Sequence, residues 1–148
     1  MLTEAAKSAA VTHNHPEGIK GAQAVCFAIS MALEKWSKHE IQLNIEHRYD
    51  YDLHRSVKHI RQDYQFNETC PGSVPEAIIC FLEANSFEET IRLAVSIGGD
   101  SDTIAAIAGS IAESYYLIPE NIKSQALAFI PGDMRTIVEQ FYNTIQNG

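Results

Sequence analysis

Ser96-Ile97-Gly98-Gly99-Asp100-Ser101-Asp102-Thr103 places two carboxylates and a hydroxyl within four residues, directly after a glycine pair. The glycines allow a tight turn with positive φ and a close backbone approach. Asp100, Asp102 and Thr103 can then converge on one point as hard oxygen donors, a set that suits Mg²⁺, Mn²⁺ or Ca²⁺ and not Zn²⁺. Asp and Ser ahead of a helix most often serve as caps, and carboxylates there favour the positive end of the helix dipole. One Asp suffices for that role. A second carboxylate two residues on repels the first, and a bound cation resolves the repulsion. Mg²⁺ takes about six oxygens in near-octahedral geometry, some from water. A two-metal centre needs more carboxylates still. The set is therefore incomplete on its own terms.

Thr12-His13-Asn14-His15-Pro16-Glu17-Gly18 sets two histidines at i and i+2, ahead of a helix that Pro16 can open. A third imidazole or thiolate at suitable spacing is not visible, so zinc is not indicated. The plainer use is a cap, from His15 or Asn14. The chemical alternative puts His13 in a pocket wall, donating to a substrate oxygen. Spacing alone favours the cap. Cys70-Pro71-Gly72-Ser73-Val74-Pro75-Glu76-Ala77 reads as a loop and a capped helix start. Ser73 has no general base beside it in sequence, which argues against a nucleophile. None of these segments assigns a catalytic residue.

Helices must position these groups. Ile19, Ala22, Cys26, Ile29, Leu33 and Trp36 recur every three or four residues, as one helical stripe. S-x-x-E capping boxes stand at Ser37 to Glu40, Ser73 to Glu76 and Ser86 to Glu89. The helix after Ser86 carries Phe87, Ile91, Ala94 and Val95 and stops at Gly98-Gly99. The next opens over Asp100 to Thr103, with Ile104, Ile107, Ile111 and Tyr115 on one side. Its other side, Ala105, Ala108, Gly109 and Ala112, is small enough for a neighbouring backbone to come close, and that neighbour is expected from outside this chain. Pro119-Glu120 begins a helix with Ile122, Leu127 and Ile130 inward, and Pro131-Gly132 breaks it. A last helix runs from Asp133 to about Gln146 with Ile137, Val138, Phe141 and Ile145. Tyr49 to Gly72 reads as a short helix plus a long loop. No period-2 pattern supports a sheet, and no composition break marks a second domain. The expectation is one all-α domain over 1–148, with Ile29, Leu33, Ile91, Val95, Ile104, Ile107 and Ile111 in its core.

The chain has 148 residues, 45% apolar and 20% charged, which is ordinary globular usage and argues against disorder. A formal net charge of −8 with scattered Lys and Arg argues against a nucleic-acid duplex as partner and is compatible with a cation. Cys26, Cys70 and Cys80 are odd in number and form no C-x-x-C, so neither a disulfide framework nor a zinc ribbon is indicated. They read as small core residues. No apolar run reaches the roughly 18 residues of a membrane span. The N-terminus lacks the apolar stretch of a signal peptide, and the expected location is cytoplasmic.

Three segments in this order, Thr12–Ala24 (THNHPEGIKGAQA), Gly72–Leu82 (GSVPEAIICFL) and Ser96–Pro119 (SIGGDSDTIAAIAGSIAESYYLIP), resemble the ADP-ribosylglycohydrolase family, which includes the dinitrogenase-reductase activating glycohydrolases. The resemblance implies an all-α fold with a binuclear Mg²⁺ centre (Mn²⁺ can stand in) in a central cleft. It implies hydrolysis of the bond between ADP-ribose and a protein side chain or small acceptor. By the same resemblance Asp100, Asp102 and Thr103 are metal ligands, and His13 with the Gly98-Gly99 backbone contacts ADP-ribose. Two ions would hold the distal ribose hydroxyls while a carboxylate-assisted water attacks. Family members also carry an N-terminal acidic residue and a T-D-D motif that supply the remaining ligands. Nothing here matches either, and Leu117 stands where a glycine is usual. The expectation is an N-terminally truncated domain, weak in metal binding and poorly active alone, which self-associates or joins a separate N-terminal chain. The alternative is a non-catalytic ADP-ribose-binding or regulatory module.

Overall fold

Helix starts in this chain follow side-chain chemistry closely. In the computed structural model, which describes residues 1–146, every regular element among the described residues is an α-helix. They are α1 (Leu2–Ala10), α2 (Pro16–Leu33), α3 (Lys38–Tyr49), α4 (Val57–Asp63), α5 (Cys70–Glu83), α6 (Phe87–Ile97), α7 (Ser101–Tyr116), α8 (Glu120–Phe129) and α9 (Gly132–Gln146). The all-α expectation holds. His15 caps α2: its Nδ1 accepts the Glu17 N–H at 3.2 Å, and Pro16 fills the first position. Ser37 and Glu40 form a reciprocal capping box at α3. At α6 the Ser86 hydroxyl accepts the Glu89 N–H at 3.1 Å, while Glu89 reaches one residue further, to the Asn85 N–H at 2.6 Å.

The expected box at Ser73 does not form. Pro71 fits the first turn of a helix, and α5 accordingly begins at Cys70, which carries Ser73 and Glu76 into the helix body. Both are buried. Ser73 Oγ donates to the Asn67 carbonyl at 3.0 Å, and Glu76 Oε1 pairs with Arg55 Nη1 at 2.8 Å.

The structure divides into two compact units, Met1–Leu117 and Ile118–Gly148. In the first, α7 packs on α6, α5 and α2, α1 lies along α2, and α3 and α4 lie against α5. Side chains no larger than a methyl bring these helices together: Ala24, Ala28, Ala32, Ala77, Ala94, Ala108 and Ala112 are all fully enclosed. That spacing corrects the expected core. Ile104 and Ile111 are fully buried, and Ile29, Ile91 and Ile107 are half-buried, but Leu33 is 63% and Val95 54% exposed. α2 turns Gly21, Ala24, Ala28, Met31 and Ala32 inward, and α6 turns Phe87, Thr90, Ala94 and Ile97. Leu33 and Val95 fall on the opposite faces. The small side of α7 is met by this chain's own α6, where a Cβ on Gly109 would lie 3.0 Å from Ile91 Cδ1. The close neighbour expected from outside the chain is thus already present.

Lysines close two helix C-termini in the first unit. Lys35 Nζ donates to the Ser114 and Tyr115 carbonyls at 3.1 and 2.8 Å, and Lys38 Nζ donates to those of Leu82 and Ala84. In the second unit Ile122, Leu127, Ile130 and Val138 are half-buried, while Ile137 and Phe141 are exposed. The side chain of Ile145 lies outside the described residues. Lys123 Nζ sits 4.4 Å from the Tyr142 ring centroid. No helix among the described residues is long and apolar enough to cross a membrane.

Two stability experiments follow from this packing. Leu117 holds φ 66° and ψ 155°, a region that suits glycine. Leu117→Gly is expected to raise unfolding free energy by about 1 kcal/mol, read from the denaturant midpoint; a lower midpoint would show that the torsion is not strained. Tyr51 is buried, its hydroxyl lacks a hydrogen-bond partner among the described residues, and burial, with the charge of Glu17 adding, pushes its phenol from 10.0 up to about 12. The folded state keeps this phenol neutral where the unfolded chain would ionise it. Its stabilisation is complete below pH 10 and lost as pH rises toward 12. The denaturant midpoint should therefore fall across that window, and less steeply in Tyr51→Phe.

Candidate functional site

The glycine pair does what its sequence implies. α6 ends at Ile97, and Gly98 and Gly99 turn the chain with φ of 79° and 59°. Asp100 occupies the N-cap position of α7, yet its carboxylate makes no capping bond. Asp102 and Thr103 follow in the first turn, both exposed. None of the three side chains is held by a hydrogen bond or an ion pair to a described residue. Capping therefore does not account for this pair of carboxylates. The chain's other D-x-D, Asp50-Tyr51-Asp52, gives the contrast: Asp50 is the C-cap of α3, and Asp52 accepts the His54 N–H at 3.1 Å and faces Arg55 Nε at 3.8 Å.

The free donors are all hard oxygens, which fits one side of a Mg²⁺ or Mn²⁺ shell. Among the described residues no group of three or more His, Cys, Asp and Glu could hold a metal ion. The residues present fit part of a centre and not a whole one.

A wall stands behind the turn. A Cβ on Gly99 would lie 2.7 Å from Tyr64 Cε1 and 3.2 Å from Phe66 Cα, whereas nothing lies within 4 Å of one on Gly98. Tyr64 OH donates to the Gly72 carbonyl at 3.3 Å. Burial raises its phenol pKa, and the nearby charges of Glu76 and Asp100 add to that. Sequence reasoning missed Tyr64, because an aromatic ring in an irregular stretch carries no periodic signal.

His13 is exposed, its Nδ1 2.8 Å from Thr12 Oγ1. With His15 committed to the α2 cap, His13 is left as a pocket wall. It lines a cavity of about 560 Å³ with Asn14, Glu68 and Thr69, and an apolar groove of about 540 Å³ with Ala22, Val25 and Ile29. Neither space is lined by Asp100, Asp102 or Thr103. The structure thus places Asp100, Asp102 and Thr103 at the start of α7 and His13 in cavities that they do not line. Cys26 and Cys70 are half-buried along the groove, not enclosed as expected. Cys80 is enclosed, and burial pushes its thiol up to about 12.

Against known proteins, the ADP-ribosylglycohydrolase family model matches residues 1–147. The chain belongs to the ADP-ribosylglycohydrolase family. Among curated relatives, ADP-ribosylhydrolase ARH3 of Mus musculus is 38% identical over 42% of this chain and 20% of its own length. ARH3 of Homo sapiens is 46% identical over 30% of this chain and 15% of its own. An uncharacterized protein of Archaeoglobus fulgidus is 32% identical over 76% of this chain and 42% of its own. This glycohydrolase-family chain spans less than half the length of the curated relatives it matches. No solved structure gives a significant match.

The two glycines of this family member should respond differently to substitution. Gly99→Ala meets both an unfavourable φ and the Tyr64 ring, and should cost roughly 2–3 kcal/mol. Part of that loss should return in a Tyr64→Ala background. Gly98→Ala suffers torsional strain alone, so Tyr64→Ala should give it no relief. A double-mutant cycle by chemical denaturation reads both, and equal coupling at the two positions would contradict the wall at Gly99.

Proposed function

We propose that this chain is the part of a Mg²⁺-dependent ADP-ribosyl hydrolase that contributes Asp100, Asp102 and Thr103 to the cation centre. The observation that carries the reading is the set of oxygen side chains at the start of α7 that no described residue engages. Two neighbouring carboxylates without protein partners repel each other, and a divalent cation is the partner that relieves them. Mg²⁺ bound there would supply charge to hold ribose hydroxyls and to polarise the anomeric centre. The chain's own part is to bind and orient. Half-buried Asp100 and exposed Asp102 and Thr103 present their oxygens from a fixed helix end. His13 donates from its cavity to a polar atom of ADP-ribose, and the Gly98-Gly99 backbone, bare of side chains, admits the ligand closely. The substrate is an ADP-ribosylated protein or small molecule.

Support for a shared centre comes from the donor count. Two carboxylates and a hydroxyl supply at most three or four of the roughly six oxygens of one Mg²⁺ shell, and a binuclear centre needs more carboxylates still. The remaining ligands belong to a second polypeptide segment, and the isolated chain should bind Mg²⁺ weakly and turn over poorly. The proposed location is the cytoplasm, in keeping with three free thiols.

The experiment measures ADP-ribose release from modified protein and small acceptors with Mg²⁺, for the chain alone and with a polypeptide carrying the T-D-D segment added in trans. Misplacing reacting groups by 1 Å can cost about 10²-fold, so the chain alone should be near background. The mixture should gain activity, and Asp100→Ala with Asp102→Ala should abolish it. Strong turnover by the chain alone, lost in Asp102→Ala, would contradict the incomplete centre. Release that survives the double substitution would place the cation elsewhere.

A further inference from the structure

The end of α4 touches the last turn of α6 and the glycine turn that follows it. Arg61 and Tyr64 are three residues apart and so lie on one side of the helix end. Arg61 Nη2 donates to Ser96 Oγ, and that hydroxyl donates to the Leu93 carbonyl at 2.5 Å. This fixes α4 to the last turn of α6. Three residues further on, the Tyr64 ring occupies the space a Gly99 side chain would need, with Cε1 2.7 Å from where its Cβ would stand. The Tyr64 hydroxyl points the other way and donates to the Gly72 carbonyl, in the first turn of α5, at 3.3 Å. Tyr64 therefore spans from α5 to the residue that directly precedes Asp100.

We propose that Tyr64 is the positioning residue of the candidate cation centre: its ring holds the Gly99 backbone and so sets the direction in which Asp100 and Asp102 leave the start of α7. The proposal rests on the reading of those carboxylates as cation ligands. Its physical ground is the freedom of glycine. Two adjacent glycines at positive φ sample more backbone conformations than any other pair, and a ligand that binds the residues after them must first order the turn. Gly98 is held by its N–H on the Val95 carbonyl at 3.2 Å, but nothing packs within 4 Å of where its Cβ would stand. Gly99 has a flat ring and the Phe66 backbone against it, so the ordering is done before a cation arrives. The ring matters here, not the acidity of the phenol. The hydroxyl's bond to Gly72 steadies the ring from behind, while the Tyr64 N–H, accepted by the Ile60 carbonyl at 2.9 Å, ties the residue to the end of α4 independently of that bond.

Mn²⁺ is the probe, with nitrogen-15-labelled chain as it stands. In the wild type and in Tyr64→Phe, Mn²⁺ below stoichiometry should broaden the amide signals of Asp100 to Thr103 selectively. Before metal is added, both should show the Gly99 Hα displaced by the ring current. Tyr64→Ala should lose that shift, keep its helical circular dichroism, and need on the order of 10-fold more Mn²⁺ for the same broadening. Should Tyr64→Ala fail to fold, Tyr64→Leu, which keeps bulk without a flat ring, carries the same comparison. Unchanged Mn²⁺ dependence in the ring-less variant, with the wild type responding, overturns the positioning role alone. Impairment of Tyr64→Phe to the level of Tyr64→Ala overturns the assignment to the ring. A wild type whose Asp100 to Thr103 signals ignore Mn²⁺ overturns the cation reading itself, and the role of Tyr64 with it.

Discussion

Close approach of helix backbones is the constraint on which the first unit depends. Ala24, Ala28 and Ala32 on α2, Ala77 on α5, Ala94 on α6 and Ala108 and Ala112 on α7 are enclosed to 0% exposure. A methyl group offers little area to remove from water, so each such contact contributes modestly by burial. What it gains is proximity, which lets main chains and the stems of neighbouring residues share dispersion contacts along their lengths. The large residues then take what space remains. Phe81, Ile41, Ile45, Ile78, Ile104 and Ile111 fill the interior, and others of similar size are left at the rim.

That arrangement also serves the site. α7 is held along its body by α2, α5 and α6, so its first turn leaves the core from a rigid support. The proposed cation centre then needs only the helix start to be polar and unengaged, as Asp100, Asp102 and Thr103 are. The division of labour within one helix is sharp: alanine and isoleucine anchor the body, and oxygen donors occupy the tip. A substitution deep in the α7 seam therefore moves the donors, although it touches none of them.

Much of this was legible in the residues themselves. The turn at Gly98-Gly99, the helix opened by Pro16, and the short helix between Tyr49 and Gly72 all follow from local chemistry that no packing overrode. What misled was the assumption that large apolar residues define the inner face. On α2 the stripe containing Ile29 and Leu33 is regular, but the opposite stripe of Gly21, Ala24 and Ala28 is the one that faces α5 and α7. Periodicity reports that a helix has two faces, and the identity of the buried one depends on how near its neighbours must come. Ser73 failed for a related reason: a capping box is a local signal, and Pro71 offered the chain an earlier start. Tyr64 could not be found at all, since its partner Gly99 lies thirty-five residues away in sequence and the contact exists only after folding.

The groove beside α2 has a property that its shape alone does not convey. Cys26, on α2, and Cys70, at the start of α5, stand in its walls half-exposed, while Cys80 is shut in the core with its thiol pushed up to about 12. Thiol reagents discriminate by access and by thiolate fraction, so the core cysteine stays silent where the two wall cysteines answer. Anything that fills the groove shields both walls together, and the chain thereby carries its own chemical footprint of that surface.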